Sequence, residues 1–204
     1  MSAVPVYVLS GGRSKRFGGD KALAELSGRA LLLHAAEPWQ RWAAPLPVSI
    51  VAERADKFGA LGLRTIGDSG AHLGPLDGLR AALTDLPAGH DWLLLTAGDV
   101  VGIDVAWADR LLDARGEGGA RAVAFRGGGR WEPLPALYHR GVLPSVVQRL
   151  PRDGGPGGRP GRAALWQLLD AVATVPLPLP PDWGRATNVN TVADLDRVVS
   201  DEQP

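Results

Sequence analysis

The sequence predicts an α/β fold with a mostly parallel, twisted sheet. Two observations carry this expectation. Short apolar runs of strand length alternate with longer segments whose apolar residues recur at helical spacing, which is the pattern of βαβ units. The first apolar run leads straight into a glycine-rich stretch, and Gly67-Asp68-Ser69 and Gly98-Asp99 also follow such runs. In open α/β sheets ligands bind beyond the carboxyl ends of the strands, where all three features would fall.

Taken in order, Val4 to Leu9 is the first strand. Leu31 to Trp42 reads as a helix, with Leu32, Ala35, Ala36 and Trp39 on one face. Pro45 and Pro47 break the chain before the strand Val48 to Val51, and Arg64 to Ile66 is a weaker strand. Pro75 suits a first helical position, and its helix runs to about Leu83, ahead of Pro87. Trp92 to Ala97 is a buried strand closed by Gly98-Asp99. Next come a helix from Ala106 to Ala114, a strand from Ala120 to Phe125 and a turn at Gly127 to Gly129. Trp131 to Tyr138 returns antiparallel, and Gly141 to Leu150 and Ala163 to Ala171 are helical. Arg152 to Gly161 reads as a glycine- and proline-rich loop. Thr174 to Leu179 opens a proline-rich turn ending near Trp183. Thr191 and Asp194 have capping-box spacing for a last helix to Val199. Residues 1–199 are expected to form one domain and 200–204 a loose tail.

Composition narrows the function. Lysine plus arginine equals aspartate plus glutamate, 22 each, which argues against a nucleic-acid coat or an anionic-membrane binder. No cysteine is present, so disulfides, thiolate metal sites and cysteine nucleophiles are excluded. No apolar stretch reaches the roughly 18 residues of a membrane span, and MSAVPVYVL lacks the pattern of a signal peptide. The cytoplasm is the default expectation.

Chemistry concentrates in Leu9 to Leu23, LSGGRSKRFGGDKAL, which leads into an alanine- and leucine-rich segment that reads as a helix. Glycines allow backbone N–H groups to approach a ligand, and Arg13, Lys15, Arg16 and Lys21 add positive charge, so the stretch suits the triphosphate of a nucleotide. Gly11-Gly12 alone would serve chain reversal equally well. Neither the Walker spacing nor the dinucleotide fingerprint is present. Asp99, just past a buried strand, has the position of a metal ligand or of a turn aspartate, and Asp68 lies in ordinary turn chemistry.

The same fifteen residues resemble the signature loop of the molybdenum cofactor guanylyltransferases, close to LAGGxSxRMGxDKAL, with Ser10 for alanine and Phe17 for methionine. The resemblance continues in order. Asp68-Ser69 precedes Gly74-Pro75-Leu76-Asp77-Gly78-Leu79, similar to a GPLAGL segment with Asp77 in place of a small residue, a departure that bears on the base pocket. Asp99 stands where the family has a metal aspartate, without its neighbouring cysteine and proline. Glu132-Pro133-Leu134-Pro135-Ala136-Leu137 resembles a segment that begins with histidine, and Asn188-Val189-Asn190-Thr191 resembles an NxNT segment. Where the family often has an asparagine after its second strand, this chain has Val51.

The resemblance implies a Rossmann-like three-layer sandwich of the nucleotide-diphospho-sugar transferase type, with one antiparallel strand. It implies transfer of GMP from GTP to molybdopterin with release of pyrophosphate. Arg16, Lys21 and Asp99 would be catalytic, and Asp99 would hold Mg2+, or alternatively Mn2+. Leu9, Ser10, Gly11, Gly12, Lys21, Asp68, Gly74, Gly78 and Asp99 would meet the nucleotide. Asn188, Asn190 and Arg162 would face the second substrate, with Arg159 beside Arg162, and Asn190 would alternatively complete the metal site. The implied partners are proteins that supply molybdopterin and those that mature molybdoenzymes. Trp131 and Trp183 are open to stacking on a pterin or to core packing. A phosphate monoester with a second pKa around 6 needs no general base, so His34, His72, His90 and His139 receive no role. The alternatives are a CTP-dependent enzyme of the same kind, another small-molecule phosphate nucleotidyltransferase, and a non-catalytic nucleotide- or cofactor-binding protein.

Overall fold

A computed structural model of the chain describes residues 4–11, 20–70, 73–150, 164–191, 193 and 194. Among them, seven strands form one sheet in the order β10-β8-β9-β6-β1-β4-β5. These are β1 (Val6–Leu9), β4 (Val48–Ala52), β5 (Thr65–Gly67), β6 (Trp92–Ala97), β8 (Ala122–Gly127), β9 (Arg130–His139) and β10 (Thr174–Pro178). Strand β9 pairs antiparallel with both β6 and β8, and the other pairs are parallel. Two small ladders accompany this sheet: β2 (Glu25–Leu26) with β3 (Arg29–Ala30), and β7 (Val100–Val101) with β11 (Thr187–Asn188).

Side chains of a strand alternate between faces, and here both faces are covered. Val6, Val8, Ile50, Leu94, Val123 and Leu137 point to one side, against α1 (Leu31–Ala43) and α3 (Ala106–Ala114). Tyr7, Val51, Leu93, Leu95, Ala136 and Tyr138 point to the other, against α2 (Pro75–Asp85), α4 (Leu143–Arg149) and α5 (Leu165–Ala171). This is the three-layer sandwich expected from the sequence. Trp39 and Trp107 are buried in the first layer, and Trp92 packs against it half-buried. Helix α1 runs through Pro38, which cannot donate the intrahelical bond to the carbonyl four residues before it.

Two segments differ from expectation. The proline-rich stretch after Ala171 is an edge strand, β10, rather than the start of a turn. Pro176 and Pro178 share one parity along the strand, which leaves Val175 and Leu177 to supply N–H groups. An edge strand is where a sheet tolerates missing donors. Between the glycine-rich stretch and α1, the chain forms a 3-10 turn, Lys21–Leu23, and the β2–β3 hairpin rather than passing directly into a helix. The Thr191–Asp194 box is formed: Asp194 Oδ2 accepts from Thr191 N–H at 2.8 Å, and Asp194 N–H donates to Thr191 Oγ1 at 3.2 Å. The helix expected beyond it, to Val199, lies outside the described residues, as does the Arg152 to Gly161 loop. No helix among the described residues is long and apolar enough to cross a membrane.

Candidate active site

Strands β1, β4, β5, β6 and β8 all point their carboxyl ends toward one edge of the sheet, and Leu9, Ser10, Gly11, Lys21, Asp68, Gly74 and Asp99 lie there among the described residues. The chain leaves β1 at Leu9 and is tied at once to its neighbours. Ser10 N–H donates to Val51 O at 2.9 Å, and Gly98 N–H donates to Leu9 O at 2.8 Å. Val51 is therefore a buried strand residue whose carbonyl anchors the loop. Leu9, Ser10, Gly11, Asp20, Lys21, Ala22, Gly98 and Asp99 line one cleft.

Its chemical centre is Lys21. The Nζ donates to Asp99 Oδ2 at 2.6 Å and to Asn190 Oδ1 at 3.3 Å. The Lys21 side chain is 15% exposed and that of Asp99 34%, so the pair is partly desolvated and stronger than a surface ion pair. Three distant segments converge on this point. Lys21 opens the 3-10 turn, whose cap is Asp20 Oδ1 accepting from Ala22 N–H at 3.1 Å. Asp99 follows β6. Asn190 arrives through β11, which pairs with β7, and Val189 N–H donates to Asp99 O at 2.8 Å. The β7–β11 ladder thus gives the segment after Asp99 its shape. Gly98 fits here because a Cβ would stand 3.0 Å from the Leu9 carbonyl oxygen and 2.9 Å from Leu32 Cδ1.

The Asp99 and Asn190 oxygens already surround one cation, the Lys21 ammonium. Hard oxygen donors of this kind, one carboxylate with room for phosphate and water, fit Mg2+ or Mn2+. No cluster of three or more histidine, aspartate or glutamate side chains that would hold a metal exists among the described residues, so nucleotide or solvent oxygens must complete the set.

The other predicted residues divide. Asp68 and Gly74 lie at the same edge, beside β5 and at the head of α2. Asp68 Oδ1 accepts from Gly70 N–H at 2.7 Å, and Gly74 takes φ +89° and ψ −169°, a conformation suited to glycine. Gly78 is buried inside α2, where a Cβ would meet Leu9 Cδ2 at 2.5 Å, so close helix–strand packing favours glycine here. Asn188 is exposed on β11. Gly12, Arg16, Arg159 and Arg162 lie outside the described residues, and so does His72.

The structure adds one residue whose role the sequence did not reveal. Asp77 reads as a departure near a base pocket, but its side chain is 1% exposed and fully engaged. It accepts from Ser69 N–H at 3.0 Å, from Ser69 Oγ, and from Arg80 Nε at 2.7 Å. Burial by itself raises its pKa, but the hydrogen bonds from Ser69 and Arg80 outweigh that and hold the carboxyl below the usual range. Asp77 therefore fixes the Asp68-Ser69 turn to α2. Asp77→Ala is expected to cost about 3 kcal/mol, because it leaves the Ser69 donors and a half-buried guanidinium without their acceptor. At about 2–4 °C per kcal/mol, the melting temperature should fall by about 6–12 °C. A depressed carboxyl pKa stabilises the fold above its unfolded value near 3.9 and loses that contribution as pH falls through the folded value. Melting curves from pH 7 to 3 should accordingly show a smaller acid loss in the variant than in the parent.

Other aromatic and ionisable residues have packing partners. Trp183 stacks on Trp107 with centroids 4.8 Å apart, and tilts against Phe125 at 5.5 Å. Trp131 donates its ring N–H to Asp170 Oδ1 at 2.7 Å, with the Arg126 guanidinium 4.8 Å above the ring. Glu132 faces Phe125 across the β8–β9 ladder, and burial raises its pKa. His34 Nε2 pairs with Leu26 O, and His139 Nδ1 accepts from Gly141 N–H.

Comparison with known proteins gives one consistent result. The profile of the MobA-like NTP transferase domain matches residues 6–171. A molybdenum cofactor guanylyltransferase of Pseudomonas paraeruginosa is 38% identical over 144 residues, 67% of this chain and 70% of that protein. A probable molybdenum cofactor guanylyltransferase of Opitutus terrae is 32% identical over 203 residues, 96% of this chain and 95% of that protein. Among solved structures, molybdopterin-guanine dinucleotide biosynthesis protein A from Archaeoglobus fulgidus superposes with a TM-score of 0.73 over 96% of this chain and 97% of its own, at 20% identity. A CMP:2-keto-3-deoxy-manno-octonic acid synthetase complexed with CTP shares the fold, with a TM-score of 0.70 over 98% of each chain at 17% identity.

Proposed function

The chain belongs to the MobA-like NTP transferase family, and from that premise we propose that it transfers GMP from GTP to molybdopterin. In this reaction a phosphate oxygen of molybdopterin attacks the α-phosphorus of GTP. The bond from that phosphorus to the β-phosphate bridging oxygen breaks, and pyrophosphate leaves with the electron pair. The observation that carries this reading is the meeting of Lys21, Asp99 and Asn190 at the end of β1, beside backbone suited to phosphate.

The chain's own task is to bring two anions together. Lys21, released from Asp99, neutralises the triphosphate and the charge that grows on departing pyrophosphate. Arg16 joins it in this reading, on the sequence resemblance. The backbone from Leu9 to Gly11 orients the nucleotide, and Asp68 and Gly74 border the base side of the same edge. Asn188 and Asn190 face the acceptor. Asp99, with Asn190, would hold a divalent cation, which would supply Lewis-acid charge to the transferring phosphate. No side chain needs to remove a proton, because the attacking phosphate is already mostly deprotonated near neutral pH.

The test is a thermal-shift screen with GTP, CTP, ATP and UTP, each with and without Mg2+, followed by pyrophosphate release in the presence of molybdopterin. GTP with Mg2+ should raise the melting temperature selectively, by about 5 °C or more at a concentration of roughly 100 times Kd. A rise confined to CTP would reassign the nucleotide. Binding without pyrophosphate release would make the protein a binder rather than an enzyme, and no shift at millimolar concentration would overturn the nucleotide site.

A further inference from the structure

Three charged groups that take no part in this chemistry meet at the end of the glycine-rich stretch. Lys57, in the turn after β4, points its Nζ at Asp20 Oδ2, 2.7 Å away, and at Glu53 Oε2, 3.0 Å away. Its side chain is 15% exposed, and the ammonium lies 5.0 Å from the buried Phe58 ring. Burial acts to lower its pKa, but the hydrogen bonds and charges of Asp20 and Glu53 win and hold it above the ordinary lysine value. Lys57 does not line the cleft.

Asp20 has two duties. Oδ2 is held by Lys57, while Oδ1 caps the 3-10 turn that Lys21 opens. That turn has few bonds of its own: Leu23 N–H to Asp20 O at 3.0 Å and Ala24 N–H to Lys21 O at 3.1 Å. A single 3-10 turn cannot hold its place by internal bonding, so its placement depends on what fixes its cap. The next residue in the chain after Asp20 reaches Asp99 at 2.6 Å. Without Lys57, Asp20 and Glu53 would face each other with no cation between them.

We infer that Lys57 is a positioning residue for Lys21: it clamps Asp20 to the segment after β4 and so sets where the Lys21 ammonium stands relative to Asp99 and the transferring phosphate. The inference rests on the reading of this cleft as the nucleotidyl-transfer site. It links the segment after β4 to the turn that Lys21 opens through a single ammonium group.

The experiment compares wild type, Lys57→Met, Lys57→Arg, Asp20→Asn and the Lys57→Met/Asp20→Asn double variant. Pyrophosphate release is normalised to folded protein. Lys57→Met should lower kcat about tenfold while KM for the nucleotide changes much less, the size seen when a group that orients an active residue is lost. Lys57→Arg should restore most of the rate, and the double variant should be no slower than Lys57→Met, since both single changes break one link. If Lys57→Met does not fold, Asp20→Asn carries the same expectations, because it retains Oδ1 as a cap and loses the ion pair. Wild-type kcat in the folded variant, or losses that multiply in the double variant, would overturn the inference. A wild type with no turnover would instead overturn the reading of the cleft. Amide exchange then decides the clamp by itself: residues 20–24 should exchange about tenfold faster in Lys57→Met, and unchanged protection there would refute it.

Discussion

Asp99→Asn is expected to reduce metal-dependent pyrophosphate release by about a thousandfold or more, while the unliganded protein keeps its fold. The size follows from the role proposed for the carboxylate. Holding a divalent cation against the α-phosphate contributes several kcal/mol to the transition state, and about 4 kcal/mol corresponds to that loss. Asparagine keeps the shape and one oxygen but removes the charge. The fold should survive because the backbone contacts of this turn do not involve the side chain: Asp99 O still accepts from Val189 N–H, and Gly98 N–H still donates to Leu9 O. The local cost is the ion pair with Lys21, whose ammonium retains Asn190 and some solvent. Single-turnover measurements with saturating nucleotide check the rate, and a melting curve checks the fold. Activity within tenfold of the parent would remove Asp99 from the metal site.

Lys21→Met should produce two effects of opposite sign. Turnover should fall by about 10²–10³-fold, because a preorganised charge aimed at the leaving group is lost. Binding of Mn2+ in the absence of nucleotide should become tighter. In the unliganded chain the Lys21 ammonium occupies the oxygens of Asp99 and Asn190 that fit a metal cation. A cation arriving alone must displace it, whereas a triphosphate offers Lys21 a new partner. In the parent, metal affinity should therefore rise on addition of nucleotide, and in the variant much of that dependence should disappear. Titration of Mn2+ followed by its magnetic-resonance signal, with and without nucleotide, reads this without any turnover. Equal Mn2+ affinity in parent and variant, both without nucleotide, would contradict competition by Lys21.

The layers of the fold were legible in the sequence because they depend on local signals. Val48 to Val51, Trp92 to Ala97 and Ala106 to Ala114 carry their periodicity within a few residues, and the structure places strands and a helix over them. Strand β10 was not legible, since Pro176 and Pro178 argue against a strand unless its edge position is known. The site was legible in part for the same reason. Lys21 and Asp99 stand in compact motifs beside strands, but no local signal brings Asn190 to Lys21. Asp77 looked like a change in a ligand pocket because Ser69, its partner, is near in sequence but approaches only when β5 and α2 pack. Gly78 carried a binding motif by sequence, yet its closest neighbour is Leu9. The clamp from Lys57 to Asp20 joins two loops on adjacent strands, and pairings of that kind are set by sheet order.

Lys21 and Asn190 are separated by 169 positions in the chain. At roughly 5–20 residues per second, a ribosome makes Asn190 about 10–30 s after Lys21. Asp99, 78 positions after Lys21, is made about 4–16 s after it, when the carboxamide and the β11 segment that carries it do not yet exist. A nascent or prematurely ended chain can thus close the Lys21–Asp99 ion pair without possessing the complete site. Translation through β11 is the step that adds the carboxamide oxygen, so the three-part cluster around the Lys21 ammonium closes only after that segment has been made.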